Sequence, residues 1–177
     1  PRYGESEAYD EQGLAIFKFG RDQARYGLLN LAGQVITQTE FRSISPFREG
    51  RALVKTKQGY GFLDTNGRLV IEGKYGKAGD FHQGRAMIQL NSKCGYIGLN
   101  GEEIVPCSYS RCQDFSGGRA VVYQGIKNAG IIDLDGKLIV EPSLDRLLEF
   151  QEGRGLMRDD NYRFYYITEQ TSLYDGY

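Results

Sequence analysis

The sequence predicts an all-β protein built from tandem repeats. A Gly-Arg-Ala segment recurs every 34 residues, at Gly50, Gly84 and Gly118. Short runs of β-forming residues follow each copy, and Gly-containing turn signals separate these runs. A fixed period of this length is typical of repeat architectures, in which each unit buries its apolar face against its neighbours. We therefore expect one repeat domain over residues 1–177, with repeats at about 13–49, 50–83, 84–117 and 118–152 and a partial repeat at 153–177.

The second repeat shows how a unit is built from three strands. Residues 51–55 carry small or branched apolar side chains at the alternating positions Ala52 and Val54, which is the period of a half-buried strand. Residues 60–64 form a second β-rich run. The pair Asn66-Gly67 is a strong hairpin signal because a type I′ turn needs positive φ at both central residues. Residues 69–71 give the third strand, and no helical periodicity appears in residues 72–83.

The same elements recur in the other repeats. The hairpin turn recurs at 32–33, 66–67, 100–101 and 135–136. A glycine near the start of the second strand recurs at Gly27, Gly61, Gly95 and Gly130. Because glycine weakens a strand unless another segment approaches closely, we expect neighbouring repeats to touch at these glycines.

The two ends depart from the pattern. Residues 1–12 are polar, and the fifth unit loses its hairpin glycine. Its residues 162–167 read as a strand that caps the array. Six aromatic residues crowd the last 16 positions, and tyrosine is favoured at protein interfaces. Tyr162, Tyr165 and Tyr166 are therefore candidates both for the cap and for a binding surface.

Composition excludes several function classes. The net charge is −1, with 22 basic and 23 acidic residues, so the chain lacks the basic footprint of a nucleic-acid-binding protein. No apolar run has the length of a membrane span. We expect a cytoplasmic location rather than a secreted or periplasmic one reached after removal of a leader, because no charged-then-apolar leader follows Pro1 and the cysteines are expected to be free thiols.

The three cysteines lie in the third repeat. Their number is odd and they do not recur at equivalent positions, so we expect buried thiols rather than a disulfide framework. A Cys107–Cys112 bridge and a metal site remain as alternatives. The single histidine, His82, occupies a slot that is polar in other repeats, which predicts an exposed loop residue.

The combined pattern resembles the bacterial WG (or KWG) repeat family. It reads Gly-Arg-Ala-x-Val, then aromatic-Gly-aliphatic-aliphatic-Asp, then x-x-Gly-Lys/Arg-x-Val/Ile, then an aromatic residue and Phe-x-x-Gly, over residues 13 to about 160. One feature departs from it, because the chain has no tryptophan and the Trp slot holds Tyr26, Tyr60, Cys94 and Ala129. The resemblance implies a β-repeat scaffold with a recognition or structural role, and it brings no catalytic residues.

Two architectures fit such repeats. An open, twisted, solenoid-like array of three-stranded repeats is favoured, because four-stranded propeller blades usually need more than 34 residues. The alternative is a five-bladed β-propeller closed by the partial fifth unit.

Motifs for catalysis or cofactor binding are missing from the sequence. It contains no Walker-type loop and no dinucleotide fingerprint, and no cofactor is predicted. Asp64 and Asp133 recur with the repeat, which favours a role in capping turns over catalysis. A hydrolase built on two carboxylates is the least favoured reading.

One arginine per repeat forms a column: Arg51, Arg85, Arg119 and Arg154. These guanidinium groups could bind an acidic protein or peptide. They could instead pair with the acidic residue five positions upstream, which is Asp80, Asp114 or Glu149 for the last three. Arg51 has Pro46 at that position, so it is predicted to be the free arginine. We expect a non-enzymatic protein-interaction module, with a carbohydrate- or small-ligand-binding, lectin-like module as the alternative.

Overall fold

The computed structural model describes residues 9–20, 24–37, 41–144, 146–151, 154–158, 164–167 and 174–176. These residues form β-strands, turns and irregular segments, with no helix among them. Accordingly, this part of the chain offers no candidate for a membrane-spanning helix. The all-β prediction is confirmed.

The described residues contain eighteen strands, which follow one another in chain order. They are β1 Leu14–Phe19, β2 Arg25–Asn30, β3 Ser43–Ile44, β4 Ala52–Lys55, β5 Tyr60–Leu63, β6 Leu69–Tyr75, β7 Lys77–His82, β8 Arg85–Leu90, β9 Lys93–Gly98, β10 Glu103–Tyr109, β11 Arg111–Cys112, β12 Arg119–Gln124, β13 Asn128–Asp133, β14 Leu138–Leu144, β15 Arg146–Gln151, β16 Arg154–Arg158, β17 Phe164–Ile167 and β18 Tyr174–Gly176.

The strands form open sheets in chain order. One sheet holds β1 and β2, and four further sheets hold β3–β6, β7–β10, β11–β14 and β15–β18. The three predicted strands are present in the second, third and fourth repeats, and each four-stranded sheet adds the last strand of the preceding repeat. A 34-residue repeat thus supplies four short strands, which is one more than the sequence indicated. In the first repeat, the third strand expected at residues 35–36 is only an isolated bridge between Leu29 and Val35. No described sheet closes on itself, in agreement with an open array.

The chain divides into two compact units. The first comprises residues 1–81 with 99–101, and the second comprises 82–98 with 102–177. The core of the first unit is built around the buried side chains of Leu28, Val54 and Leu63. In the second unit, Tyr96 and Ile132 lie in one cluster of buried residues, and a further cluster surrounds Ile131. That the whole chain forms one repeat domain stays a prediction.

An aromatic pair recurs in the cores of successive repeats. The rings of Phe62 and Phe81 pack edge to face, with centroids 4.8 Å apart. Tyr96 and Phe115, which occupy the same slots one repeat later, pack in the same way at 4.9 Å. The phenylalanine that precedes each Gly-Arg-Ala segment is therefore a core residue in these repeats.

The type I′ turns lie elsewhere than predicted. Asn66-Gly67 closes a hairpin, but only Gly67 of the pair has positive φ, at 75°. Asp64 and Arg68 pair across a three-residue loop, which is a type I turn followed by a left-handed residue. Two consecutive positive φ values occur instead just before the recurring arginine, at Glu49-Gly50, Gln83-Gly84 and Gly117-Gly118. The glycine of Gly-Arg-Ala is thus the second residue of a type I′ turn.

The strand glycines meet their own repeat rather than a neighbouring one, so that prediction was wrong. A Cβ added to Gly61 would collide with the backbone of β6, and a Cβ on Gly95 would collide with that of β10. Gly130 is likewise covered by β14. In all three sheets the strand pairing shifts register at this point, so the third strand bulges across the bare glycine.

The contact with the preceding repeat is made by the hairpin glycine. A Cβ on Gly67 would lie 3.0 Å from the carbonyl oxygen of Ile36. Gly101 approaches Ile71 in the same way, and Gly136 approaches Ile104 and Val105. The absence of a side chain at the hairpin therefore lets each hairpin sit against the third strand of the repeat before it.

The fifth unit supplies three strands to the last sheet. Arg154 begins β16, and Tyr165 and Tyr166 lie in β17, which pairs with β16 and β18. Tyr162 lies outside the described residues. The capping role of this segment stays a prediction.

Candidate functional site

The arginine column holds hairpins in place. The Nε–H of Arg51 donates to the carbonyl oxygen of Leu99 at 2.9 Å, and that of Arg85 donates to Leu134 at 2.8 Å. Leu99 and Leu134 occupy the same slot, just before the hairpin turn of the following repeat. Nη1 of each arginine also donates to the carbonyl of the glycine before it, at 3.1 Å. Two of the four arginines thus join one repeat to the hairpin of the next.

These contacts correct two predictions about the column. Arg51 is not a free arginine, because Leu99 engages its guanidinium group. The predicted pair of Asp80 with Arg85 is not formed: Arg85 donates to backbone carbonyls instead, and Asp80 Oδ1 accepts a hydrogen bond of 2.9 Å from Ser45 Oγ. Arg119 is 5 % exposed. The structure does not describe the side chain of Arg154. Binding of a partner by the arginine column stays a prediction.

The recurring acidic residues cap turns, as predicted. Asp64 Oδ1 accepts hydrogen bonds from the backbone N–H groups of Asn66 and Arg68, at 2.9 and 2.8 Å. Asp133 accepts the equivalent pair at 3.0 and 2.8 Å. Asx turns of this kind satisfy backbone donors that the loop would otherwise leave unpaired. Both carboxylates thus have the same structural role in their hairpin turns.

The cysteines form a disulfide, so the prediction of buried thiols was wrong for two of them. Cys94 in β9 is bonded to Cys112 in β11, with Cα atoms 6.0 Å apart. The alternative pairing of Cys107 with Cys112 was also wrong. Because β9 and β11 belong to different sheets, this partnership is set by the place where the two sheets meet, and it cannot be read from the spacing of the cysteines. The argument from free thiols for a cytoplasmic location therefore no longer holds.

Cys107 remains a half-buried thiol whose Sγ lies 3.8 Å from the carbonyl oxygen of Ile88. Burial raises the pKa of the Cys107 thiol. His82 is exposed, as predicted, although it ends strand β7 rather than lying in a loop. The described residues contain no group of three metal-ligating side chains.

A cleft lies in the first unit, beside the hairpin between β5 and β6. Its volume is about 490 Å³, within the range of small-molecule sites. The residues that line it come from the segment after β2, the loop between β4 and β5, and the β5–β6 hairpin: Ile36, Thr37, Phe41, Thr56, Lys57, Gln58, Gly67 and Leu69. Apolar and polar groups thus share the walls of one cavity.

Thr37 is the residue that breaks the repeat pattern in this cleft. Its slot holds Ile71, Val105 and Val140 in the next three repeats, and all of these are buried. Thr37 is itself only 9 % exposed. Sequence reasoning missed this residue, although aligning the third strands of the four repeats would have shown one polar side chain among apolar ones.

Exposed apolar side chains adjoin the cleft. Val35, Leu69 and Val70 are 41–43 % exposed, and we refer to these three residues as the apolar strip. Val35 and Leu69 hold the same slot at the start of the third strand in successive repeats. Leu69 also lines the cleft, so the strip continues into its wall.

Solved structures with a similar fold have very different sequences. Hsv2 of Kluyveromyces lactis with complete loop 6CD matches with a TM-score of 0.51 at 10% identity, over 97% of this chain and 62% of that one. The variant of Hsv2 in which a Gly-Ser linker replaces loop 6CD matches with a TM-score of 0.51 at 11% identity, over 94% of this chain and 64% of that one. The WD40 beta propeller domain of Doa1 matches with a TM-score of 0.39 at 12% identity, over 99% of this chain and 69% of that one. This chain thus spans less than two thirds of the length of the Hsv2 structures, and the likeness concerns the fold alone.

A match at the level of sequence identifies the family. No curated protein matches the chain. The family described as WG containing repeat matches four times, over residues 26–59, 60–94, 95–126 and 130–162. Each match begins at or next to the slot where the family's Trp-Gly pair is expected. These matches cover most of the sequence, and the chain therefore belongs to the family of WG containing repeat proteins.

Proposed function

We propose that this protein is a non-enzymatic interaction module that binds a protein or peptide through the apolar strip. The observation that carries the proposal is the exposure of Val35, Leu69 and Val70 on two successive repeats. Burying apolar surface contributes about 25 cal/mol per Å². Exposed apolar side chains that recur at the same slot of successive repeats are candidates for a site of association. The strip is therefore a surface that a partner would gain free energy by covering.

The charges beside the strip favour an acidic partner. Arg68 precedes Leu69 and is exposed, and Lys57 shares the wall of the cleft with Leu69. Complementary charge at the rim of an interface steers association and adds specificity. Arg68 and Lys57 are therefore proposed as the cations that contact the partner. The arginine column is less suited to this role, because Arg51 and Arg85 are engaged within the fold.

The other two functions have weaker support. A lectin-like array requires a similar pocket in each repeat, but the slot of Thr37 is apolar in the three repeats that follow. A hydrolase requires two carboxylates facing one cleft, and the described residues that line the cavity include neither Asp nor Glu.

The test is capture of partners from a lysate of the cells that produce the protein, followed by titration of the purified partner. The double variant Leu69→Ser, Val70→Ser removes the centre of the strip. The matched control is Ile126→Ser, which changes an apolar residue of the second unit that is 94 % exposed. We expect the wild type and the control to retain the partner, and the double variant to lose at least about tenfold in affinity, which corresponds to about 1.4 kcal/mol. Equal affinity for all three proteins would contradict the proposal.

A further inference from the structure

The cleft contains a polar group that the fold leaves unused. Thr37 is nine-tenths buried, and its hydroxyl has no hydrogen-bond partner within the part of the chain that the structure describes. Leaving a buried hydroxyl unpaired costs free energy. The next three repeats avoid this cost with Ile71, Val105 and Val140. A polar residue kept at an otherwise apolar slot, and lining a cavity, points to a ligand.

The rim of the same cleft supplies a positive charge. Lys57 lines the cavity, is exposed, and forms no ion pair with the described residues. The neighbouring Thr56 hydroxyl is already occupied, because it donates to Gly59 O at 2.9 Å and accepts from two backbone N–H groups at 3.1 Å. The groups available to a ligand are therefore the Thr37 hydroxyl inside the cleft and, at its rim, the Lys57 ammonium and the Gln58 side-chain amide.

The walls of the cleft between the Thr37 hydroxyl and the Lys57 ammonium are apolar. Ile36, Phe41 and Leu69 contribute them, and Gly67 contributes no side chain. Phe41 is 8 % exposed and so offers the cleft only a small part of its ring, and the broad stacking platform typical of sugar sites is missing from the described lining. A single lysine also differs from the set of converging donors that binds phosphate.

We infer that this cleft binds a small organic carboxylate that carries a hydroxyl group at the opposite end of an apolar body. The carboxylate pairs with Lys57 at the rim, the body packs against Phe41 and Leu69, and the hydroxyl bonds to Thr37. The inference goes beyond the proposed protein partner and does not depend on it, because a small molecule would bind the cleft of the isolated protein without any partner.

The test titrates the purified protein with 4-hydroxyphenylacetate, followed by NMR shifts of the amides around the cleft. A ligand of this size should bind with a dissociation constant of about 1 mM. Lys57→Gln is expected to weaken binding about fivefold or more, since one charge-assisted contact is lost. Replacing the probe by its neutral amide, 4-hydroxyphenylacetamide, should have a similar effect on the wild type and little effect on Lys57→Gln.

A second pair of titrations tests the buried end. Thr37→Val, which introduces the residue found in the later repeats, should weaken 4-hydroxyphenylacetate about fivefold and leave phenylacetate unchanged. The same substitution should raise the melting temperature by about 2–4 °C, because it removes an unpaired buried hydroxyl. A gain in stability together with a loss of affinity separates a ligand-binding role from a structural one.

Two results would overturn the inference. One is the absence of saturable binding of 4-hydroxyphenylacetate by the wild type up to about 10 mM. The other is equal affinity of the wild type, Lys57→Gln and Thr37→Val for this probe. Either result leaves the proposed protein partner untouched, since the strip variants and the capture experiment test that separately.

Discussion

The second and third repeats share one set of packing contacts and differ in how they are held together. Both have an edge-to-face aromatic pair, a third strand that bulges over a glycine, and an arginine that donates to the next hairpin. In the second repeat, the Trp slot holds Tyr60, whose ring lies 3.8 Å from the Lys55 ammonium. In the third repeat that slot holds Cys94, which is bonded to Cys112.

The two repeats also differ at the hairpin. Asp64 caps the turn of the second repeat, whereas the equivalent residue of the third is Gly98. The carboxylate of Glu102 occupies the space where a side chain at position 98 would lie. The packing contacts between strands thus recur from one repeat to the next. The side chains that reinforce each repeat differ in their chemistry.

Removal of the disulfide should give the largest effect, and it tests whether the third repeat depends on its covalent link. The double variant Cys94→Ala, Cys112→Ala is expected to lower the free energy of unfolding by about 3 kcal/mol, the value for a loop closed by cysteines 18 residues apart. Denaturant titration measures the loss. Reduction of the wild type should give the same result.

The matched control for the disulfide is Cys107→Ser, which changes the thiol that remains in the same repeat. We expect this variant to respond to reduction as the wild type does. If the double variant kept wild-type stability, the third repeat would be held by packing alone, as the second is.

The arginine contacts should give an intermediate effect, similar in both repeats. Arg51→Ala and Arg85→Ala each remove a hydrogen bond from a charged donor to a hairpin carbonyl. Each should lower the free energy of unfolding by about 1.5 kcal/mol. Arg68→Ala is the control, because its side chain is exposed and a surface change of this kind costs less than about 0.5 kcal/mol. Equal stability of all three variants would show that the hairpin carbonyls are satisfied by water instead.

Much of the fold followed from the sequence because short-range patterns encode it. The period of Gly-Arg-Ala, the hairpin glycines and the alternation in residues 51–55 predicted the repeats and the three strands of the second, third and fourth repeats. The capping roles of Asp64 and Asp133 followed from their regular spacing. These features depend on residues close together in the chain, where turn chemistry and strand periodicity act directly.

The features that sequence reasoning missed depend on pairings between distant residues. The partner of Arg51 is a backbone carbonyl 48 residues away, which no residue type reveals. The pairing of Cys94 with Cys112 follows from the meeting of β9 with β11, and the number of cysteines argued against it. Thr37 carried a readable signal, but its importance becomes visible only when the cleft places it beside Lys57.

Tyr96 should give the smallest effect, and its sign changes with pH. Its slot holds Phe62 in the second repeat, and its hydroxyl donates to the Gln113 carbonyl at 2.6 Å. Tyr96→Phe leaves that carbonyl without this donor, so it should lower the free energy of unfolding by about 1 kcal/mol at pH 7. Denaturant titrations of both proteins at pH 7, 9 and 11 measure the difference.

The pH dependence follows from the raised pKa of Tyr96. Burial, with the charge of Asp114 second, raises the pKa of this phenol above its ordinary value of 10.0. The contribution to stability is therefore complete below about pH 10, and it falls as the unfolded phenol ionises while the folded one stays neutral. One pH unit above that value costs about 1.4 kcal/mol, so the advantage of the wild type over Tyr96→Phe should vanish near pH 11. A difference in unfolding free energy that stayed constant between pH 7 and 11 would mean that Tyr96 ionises in the folded protein. The third repeat would then be no more closed to water at this position than a surface strand.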